Sequence, residues 1–116
     1  MLAKKNRLNK KKDFGQVLKE GKSLKEKFLI LKIGKNKTGQ IRFGFIVSQK
    51  VSKKATIRNK VRRKISELVK LRIKKIKKGV DAILIALSGI EKKEFLEIGE
   101  MVDNLFKRAK IYESFN

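Results

Sequence analysis

Cysteine and histidine are both missing from the 116 residues of this chain. Without them there are no disulfides, no thiol chemistry and no Cys/His metal site. The same absence fits a reducing, cytoplasmic setting. Proline is absent as well. No apolar run approaches the roughly 20 residues that a transmembrane helix needs, and no apolar signal-peptide core follows the basic N-terminus. Acidic residues are scarce, with 11 Asp+Glu against 33 Lys+Arg.

What is present is positive charge, a formal +22. Solubility of a small domain needs a net charge of only about 2–8. A larger excess repels itself and calls for a polyanionic partner, nucleic acid first and a membrane surface second. The charge is also segregated. Between Lys27 and Ser66 there are 13 Lys or Arg and no acid, whereas Glu91 to Glu113 holds six acids and five bases. A solubility charge has no reason to divide in this way, but a binding face does.

The length suits one domain over residues 1–116, and 41% hydrophobic residues are enough for one core. Residues 1–12 read as a flexible basic arm or an extended segment laid on the domain. Asp13 reads as a helix N-cap with Gln16 as its capping-box partner, and Gly21 as the stop. Residues 28–33 and 41–48 read as strands of a hairpin around the GKNKTG turn. Ile41, Phe43, Phe45 and Val47 share one face of the second strand, and Arg42, Gly44, Ile46 and Ser48 the other. A long helix follows from about Thr56 to Lys74, with Ile57, Val61, Ile65, Leu68 and Leu71 at helical spacing. The run VDAILIAL at 80–87 suits a central buried strand. A last helix over about 91–110 turns Phe95, Ile98, Val102, Leu105 and Ala109 inward. The order α-β-β-α-β-α predicts an α+β fold, one mixed sheet with helices packed on it.

The stretch Lys50–Lys64, KVSKKATIRNKVRRK, holds eight Lys or Arg and no acid. At about 100° per residue, Ile57, Val61, Ile65 and Leu68 fall on one arc of its helix. Asn59, Arg62, Arg63, Ser66 and Lys70 fall on the opposite one, with Arg58 at the boundary. Ordinary solvated faces interleave Glu with Lys; this one reaches no acid until Glu67. Arg holds phosphate oxygens in a planar fork, a helix fixes the spacing of such forks, and Asn59 suits a sugar hydroxyl or base edge. Lys53 and Lys54 precede the helix, where backbone N–H groups also favour anions.

Here the sequence resembles a known family. Arg58-Asn59-Lys60-Val61-Arg62-Arg63 is similar to the RNR motif of the bacterial ribonuclease P protein. Arg7-Leu8 followed by Asp13-Phe14 resembles its N-terminal signature, and Gly44–Lys50 (GFIVSQK) the strand leading into the motif. The resemblance implies a left-handed β-α-β crossover, rare among folds. It implies a subunit that binds a catalytic RNA and precursor tRNA, assisting removal of the 5′ leader. The RNA carries the chemistry with Mg²⁺, and the protein alone binds no cofactor. The implied RNA contacts are Arg7, Lys50, Lys53, Lys54, Arg58, Asn59, Lys60, Arg62, Arg63 and Lys70. The leader would lie between the first helix and the sheet, beside Phe14, Leu18, Leu31 and Arg42. Leu18 and Leu31 stand where many members carry aromatics, which leaves Phe14 as the main stacking platform. By residue type alone, Phe14 on a short helix reads as core packing.

No catalytic residue is expected in the chain itself. It lacks a His or Cys base or nucleophile, and its carboxylates are scattered rather than paired for a metal. Neither a membrane nor DNA is expected as partner. A ribosomal or other structural RNA-binding protein would explain the charge equally well, but not the combined RNR helix, Phe14 signature and element order. A DNA-binding architectural protein would need a dimerisation seam or minor-groove arm, and neither is seen.

Overall fold

The computed structural model describes residues 2–113. Its centre is β4 (Val80–Ala86), a run whose residues are almost all buried. Such a strand needs partners on both edges and cover on both faces. It pairs antiparallel with β2 (Leu29–Lys35) and parallel with β3 (Ile41–Ile46). A further strand, β1 (Lys22–Glu26), pairs antiparallel with β2, giving the order β1-β2-β4-β3. The mixed α+β sheet expected from the sequence is therefore present.

Two details differ from that expectation. The strands at 28–33 and 41–48 do not form a hairpin, because β4 lies between them. The apolar β4 gains more from two neighbours than a sheet edge would allow. The hairpin is instead β1–β2, and its turn holds Lys27 at φ 49°, a conformation that favours glycine. β1 is the strand that the sequence pattern does not announce. Its sequence KSLKE turns only Leu24 toward the core, as befits a polar edge strand. Arg108 ties it to the last helix, donating from Nη1 to the Lys25 carbonyl at 2.6 Å and to Glu26 at 3.1 Å.

Helices α2 (Ala55–Arg72) and α3 (Phe95–Arg108) cover one face of the sheet. Val61, Ile65, Leu68 and Val69 meet Ile98, Val102, Leu105 and Phe106 over Leu31, Phe43 and Leu84. Leu71, expected on the apolar stripe, is 64% exposed; Val69 is the residue turned to the core. Phe95, also expected inside, is 36% exposed at the first turn of α3. That helix starts later than residue 91, behind a capping box of Glu94 and Glu97.

Helix α1 (Lys11–Glu20) covers the other face. It places Val17 over Ile83, with Leu8 beside them and Phe14, Ile46 and Ile85 at the margin. Its N-cap is Lys10, without a side-chain cap, so Asp13 lies inside the first turn rather than before it. Gly21 ends the helix in extended conformation. Its role is close approach, since a Cβ there would lie 2.5 Å from the Val17 carbonyl oxygen and 3.0 Å from that of Ile33.

Candidate nucleic-acid interface

Residues 2–9 lie against the domain. Leu2 and Leu8 are buried, Arg7 bridges to Phe43, and the Asn6 side chain donates to the Ile41 carbonyl at 2.7 Å. The segment thus extends the sheet past β3 and raises a wall along its edge. α2 forms the facing wall. Between them runs a groove of about 970 Å³.

The groove brings together residues far apart in sequence. Arg7, Leu8 and Asn9 line it from the N-terminal segment, and Phe14 from α1. Phe43, Gly44 and Phe45 form its floor. Asn59, Lys60, Arg62, Arg63, Lys64, Ser66 and Glu67 form its α2 wall, with Phe95 at one end. The RNR-like face and Phe14 therefore share one surface. Glu67 is its single acid against five Lys or Arg: Arg7, Lys60, Arg62, Arg63 and Lys64.

Local hydrogen bonds preset several of these groups. Arg62 donates to the Asn59 side-chain oxygen at 2.6 Å, which leaves the Asn59 amide as the donor facing outward. Arg58 does not reach into solvent with its whole fork. Its Nη1 donates to the Ser52 and Lys53 carbonyls at 3.0 and 2.9 Å, clamping the loop before α2. Lys50, Lys53, Lys54 and Lys70 are exposed outside the groove. Arg7 donates to the Leu2 carbonyl at 2.8 Å and keeps its segment folded against the sheet.

The residues assigned to the leader cleft separate into three groups. Phe14 is half-buried, lines the groove, and lays its ring where a Gly44 Cβ would stand. Leu18 is 37% exposed, on α1 but outside the groove. Leu31 is wholly buried beneath α2 and α3, so it cannot line a cleft on the α1 face. Its neighbours Ile30 and Lys32 occupy that side of β2, and Lys32 donates to the Leu18 carbonyl at 3.5 Å.

Arg42 is likewise not available to touch the leader. Its guanidinium makes a two-pronged bond to Asp81, at 2.8 and 2.7 Å, and reaches Asp13 at 3.2 Å. Hydrogen bonding to Asp81 holds it more firmly protonated than an ordinary arginine, against the opposing effect of burial. Arg42 is thus a strut joining α1, β3 and β4. Phe45, Lys64 and Phe95 are among the groove residues that sequence reasoning passed over. Lys64 had a signal, lying in the acid-free run; Phe95 and Phe45 had none beyond apolarity.

A family model described as Ribonuclease P matches residues 2–110. The chain is 39% identical over 110 residues to a ribonuclease P protein component of Clostridium botulinum, covering 94% of this chain and 98% of that protein. It is 44% identical over 105 residues to that of Clostridioides difficile, covering 90% and 91%. Among solved structures, an RNase P protein of Staphylococcus aureus superposes with TM-score 0.85 at 29% identity, covering 93% and 98%. One from Thermotoga maritima does so with TM-score 0.79 at 33% identity, covering 88% and 96%.

Proposed function

The chain belongs to the ribonuclease P protein family, and on that premise we propose that its groove is where it holds RNA during tRNA 5′ maturation. The α2 wall binds the catalytic RNA of the complex through its phosphates, using Lys60, Arg62, Arg63 and Lys64, with Lys50, Lys53 and Lys54 extending the surface around the helix N-terminus. The single-stranded 5′ leader of precursor tRNA passes along the N-terminal wall, with a base stacked on Phe14. The observation that carries this reading is the meeting of the acid-poor α2 face and Phe14 in one groove.

In this reading the chain positions RNA and the RNA subunit hydrolyses the phosphodiester. Mg²⁺ would serve that step through the RNA subunit. The groove offers a divalent cation one carboxylate, Glu67, amid five positive side chains, a donor set that does not fit Mg²⁺. Of the other carboxylates, Asp13 and Asp81 are engaged by Arg42, and Asp103 by Arg72. Among the described residues no helix is long and apolar enough to cross a membrane; the reading places the complex in the cytoplasm.

The test is the salt dependence of binding to the catalytic RNA. Replacing Arg62 and Arg63 with alanine should lower the log–log slope by roughly 0.7–0.9 for each phosphate that is no longer neutralised. An unchanged slope would take α2 out of the interface.

A further inference from the structure

Helices α2 and α3 lie side by side and run in the same direction. Gly99 sits against Leu68 and Arg72, where an added Cβ would be 3.2 Å from the Leu68 side chain and 3.3 Å from the Arg72 guanidinium. One turn further along α3, Asp103 binds Arg72 at 2.7 Å. One turn back, Phe95 shares the end of the groove with Ser66 and Glu67. The sheet lies on one flank of this seam and solvent on the other. Leu71 and Leu96 stand on the solvent flank, 64% and 80% exposed. Leu71 follows Leu68 by three positions and Leu96 precedes Gly99 by three, so both border the seam. Helical spacing sets Glu67 one turn before Leu71, and Glu100 one turn after Leu96. Because the helices run the same way, Glu67 comes level with Leu96, and Glu100 with Leu71. The seam thus presents two leucines on one diagonal and two carboxylates on the other.

A single exposed leucine is ordinary on a protein surface. Here two share one seam, and the charge around them is opposite to that of the molecule. Glu67, Glu100 and Glu97, the neighbour of Leu96, are exposed and in no ion pair among the described residues. Lys64 on α2 and Lys107 on α3 bound the seam at its two ends. At physiological ionic strength a charge acts over only about 8 Å. A ligand at the seam therefore meets these carboxylates rather than the net +22 of the chain. Leu71, Leu96 and Glu100 do not line the groove, so they stay open when it is filled.

We propose that this seam docks a cationic amphipathic segment of a partner protein, with its apolar residues on Leu71 and Leu96 and its Lys or Arg toward Glu67, Glu97 and Glu100. A second copy of the chain is a poor occupant, since a two-fold contact through this face would set the carboxylates against one another. RNA is poorer still, because its phosphates would meet the same three acids. Docking here brings a second protein to the complex while the groove remains occupied.

The probe is a synthetic helical peptide of leucine and lysine, with leucines at i, i+3, i+4 and i+7, added to the free chain at physiological ionic strength. Saturable binding is expected, with amide-exchange protection on α2 and α3 around Leu71 and Leu96. Leu71→Gln and Leu96→Gln should each weaken it about tenfold, equivalent to about 1.4 kcal/mol, with far-UV circular dichroism and affinity for the catalytic RNA unchanged. Glu67→Gln combined with Glu100→Gln should weaken it and flatten its salt dependence. A peptide of the same charge with glutamine for leucine should not bind. Equal binding of the two peptides, or protection elsewhere on the chain, would overturn the proposal. So would a dimer of the free chain that Leu96→Gln dissolves in sedimentation, which would give the seam to a second copy. The chain has no cysteine, so Leu96→Cys can carry a single iron–EDTA group. That tether should leave the RNA of the assembled complex uncut; cuts would give the seam to RNA.

Discussion

The ring of Phe14 occupies the space that a side chain at Gly44 would need. Helix α1 reaches the sheet at this point, and the groove takes its aromatic edge from it. Gly44→Ala should therefore displace the ring and destabilise the fold by about 1–3 kcal/mol, the usual cost of overpacking. In the Phe14→Ala background the same change should cost far less, because the obstruction is gone. Urea unfolding of the four proteins gives the coupling; additive effects would mean that this close approach is not what positions α1.

Phe14→Ala itself should separate two substrates. Base–aromatic stacking is worth about 1–3 kcal/mol per base. Leader-bearing precursor tRNA should lose about that much affinity for the complex, while mature tRNA binding stays nearly constant. Equal losses for both would make Phe14 a packing residue only.

Arg58 is expected to act through the loop it clamps. In Arg58→Ala the Ser52 and Lys53 carbonyls lose their donor, and trypsin should cut after Lys53 and Lys54 faster than in the parent. Arg58→Lys keeps the charge without the fork and should not restore protection. Protection recovered by lysine would assign the effect to charge instead.

Stability should fall at both extremes of pH through one cluster. Arg72 binds Asp103 at 2.7 and 3.1 Å, and the Tyr112 hydroxyl donates to Asp103 at 2.5 Å. Hydrogen bonding from Arg72 holds the Asp103 carboxyl below its ordinary 3.8. Its contribution is complete above that value and is lost as pH falls through the lower folded one. Burial, with the bond to Asp103, pushes the Tyr112 phenol well above its ordinary 10.0. That contribution is complete below 10.0 and is lost as pH rises through the folded value. Asp103→Asn should flatten the acid limb of a thermal-midpoint profile, and Tyr112→Phe the alkaline limb. An acid limb unaltered in Asp103→Asn would place the sensitivity elsewhere.

Anions should stabilise the isolated protein. At +22 the free chain should be partly unfolded in dilute chloride buffer, and sulfate should restore structure by binding native cationic sites. Occupancy at 100 times the dissociation constant is worth about 2.7 kcal/mol. Circular dichroism that shows full structure without sulfate, and no response to it, would contradict this.

The periodic parts of the fold were legible because their patterns admit one solution. Val61, Ile65 and Leu68 repeat at helical spacing and are buried, and VDAILIAL could only be central. The α2 cations were legible from the missing acids. Leu31 was misplaced because β2 is apolar at consecutive positions: Leu29, Ile30 and Leu31 give no parity from which to tell the α1 face from the α2/α3 face. Asp13 looked like a cap because its side chain suits one, yet α1 starts two residues earlier, and Arg42 takes the carboxylate. The β1–β2 turn was invisible because Lys27 adopts a backbone shape that its residue type does not announce. That Arg42 is a strut depends on Asp81, 39 positions away, and no local pattern encodes that pairing.

The placement of β4 between β2 and β3 also orders events during synthesis. Only β1 and β2 can pair as neighbours in the chain; β3 must wait for a partner that lies beyond the whole of α2. Such non-local pairing is slow because a long loop has to close first. Translation delivers the Arg58–Lys64 cations before it delivers Val80–Ala86, so they emerge ahead of the strand that completes the sheet. A nascent chain halted ahead of Val80 carries every charge of that helix without the central strand of the frame that aims them.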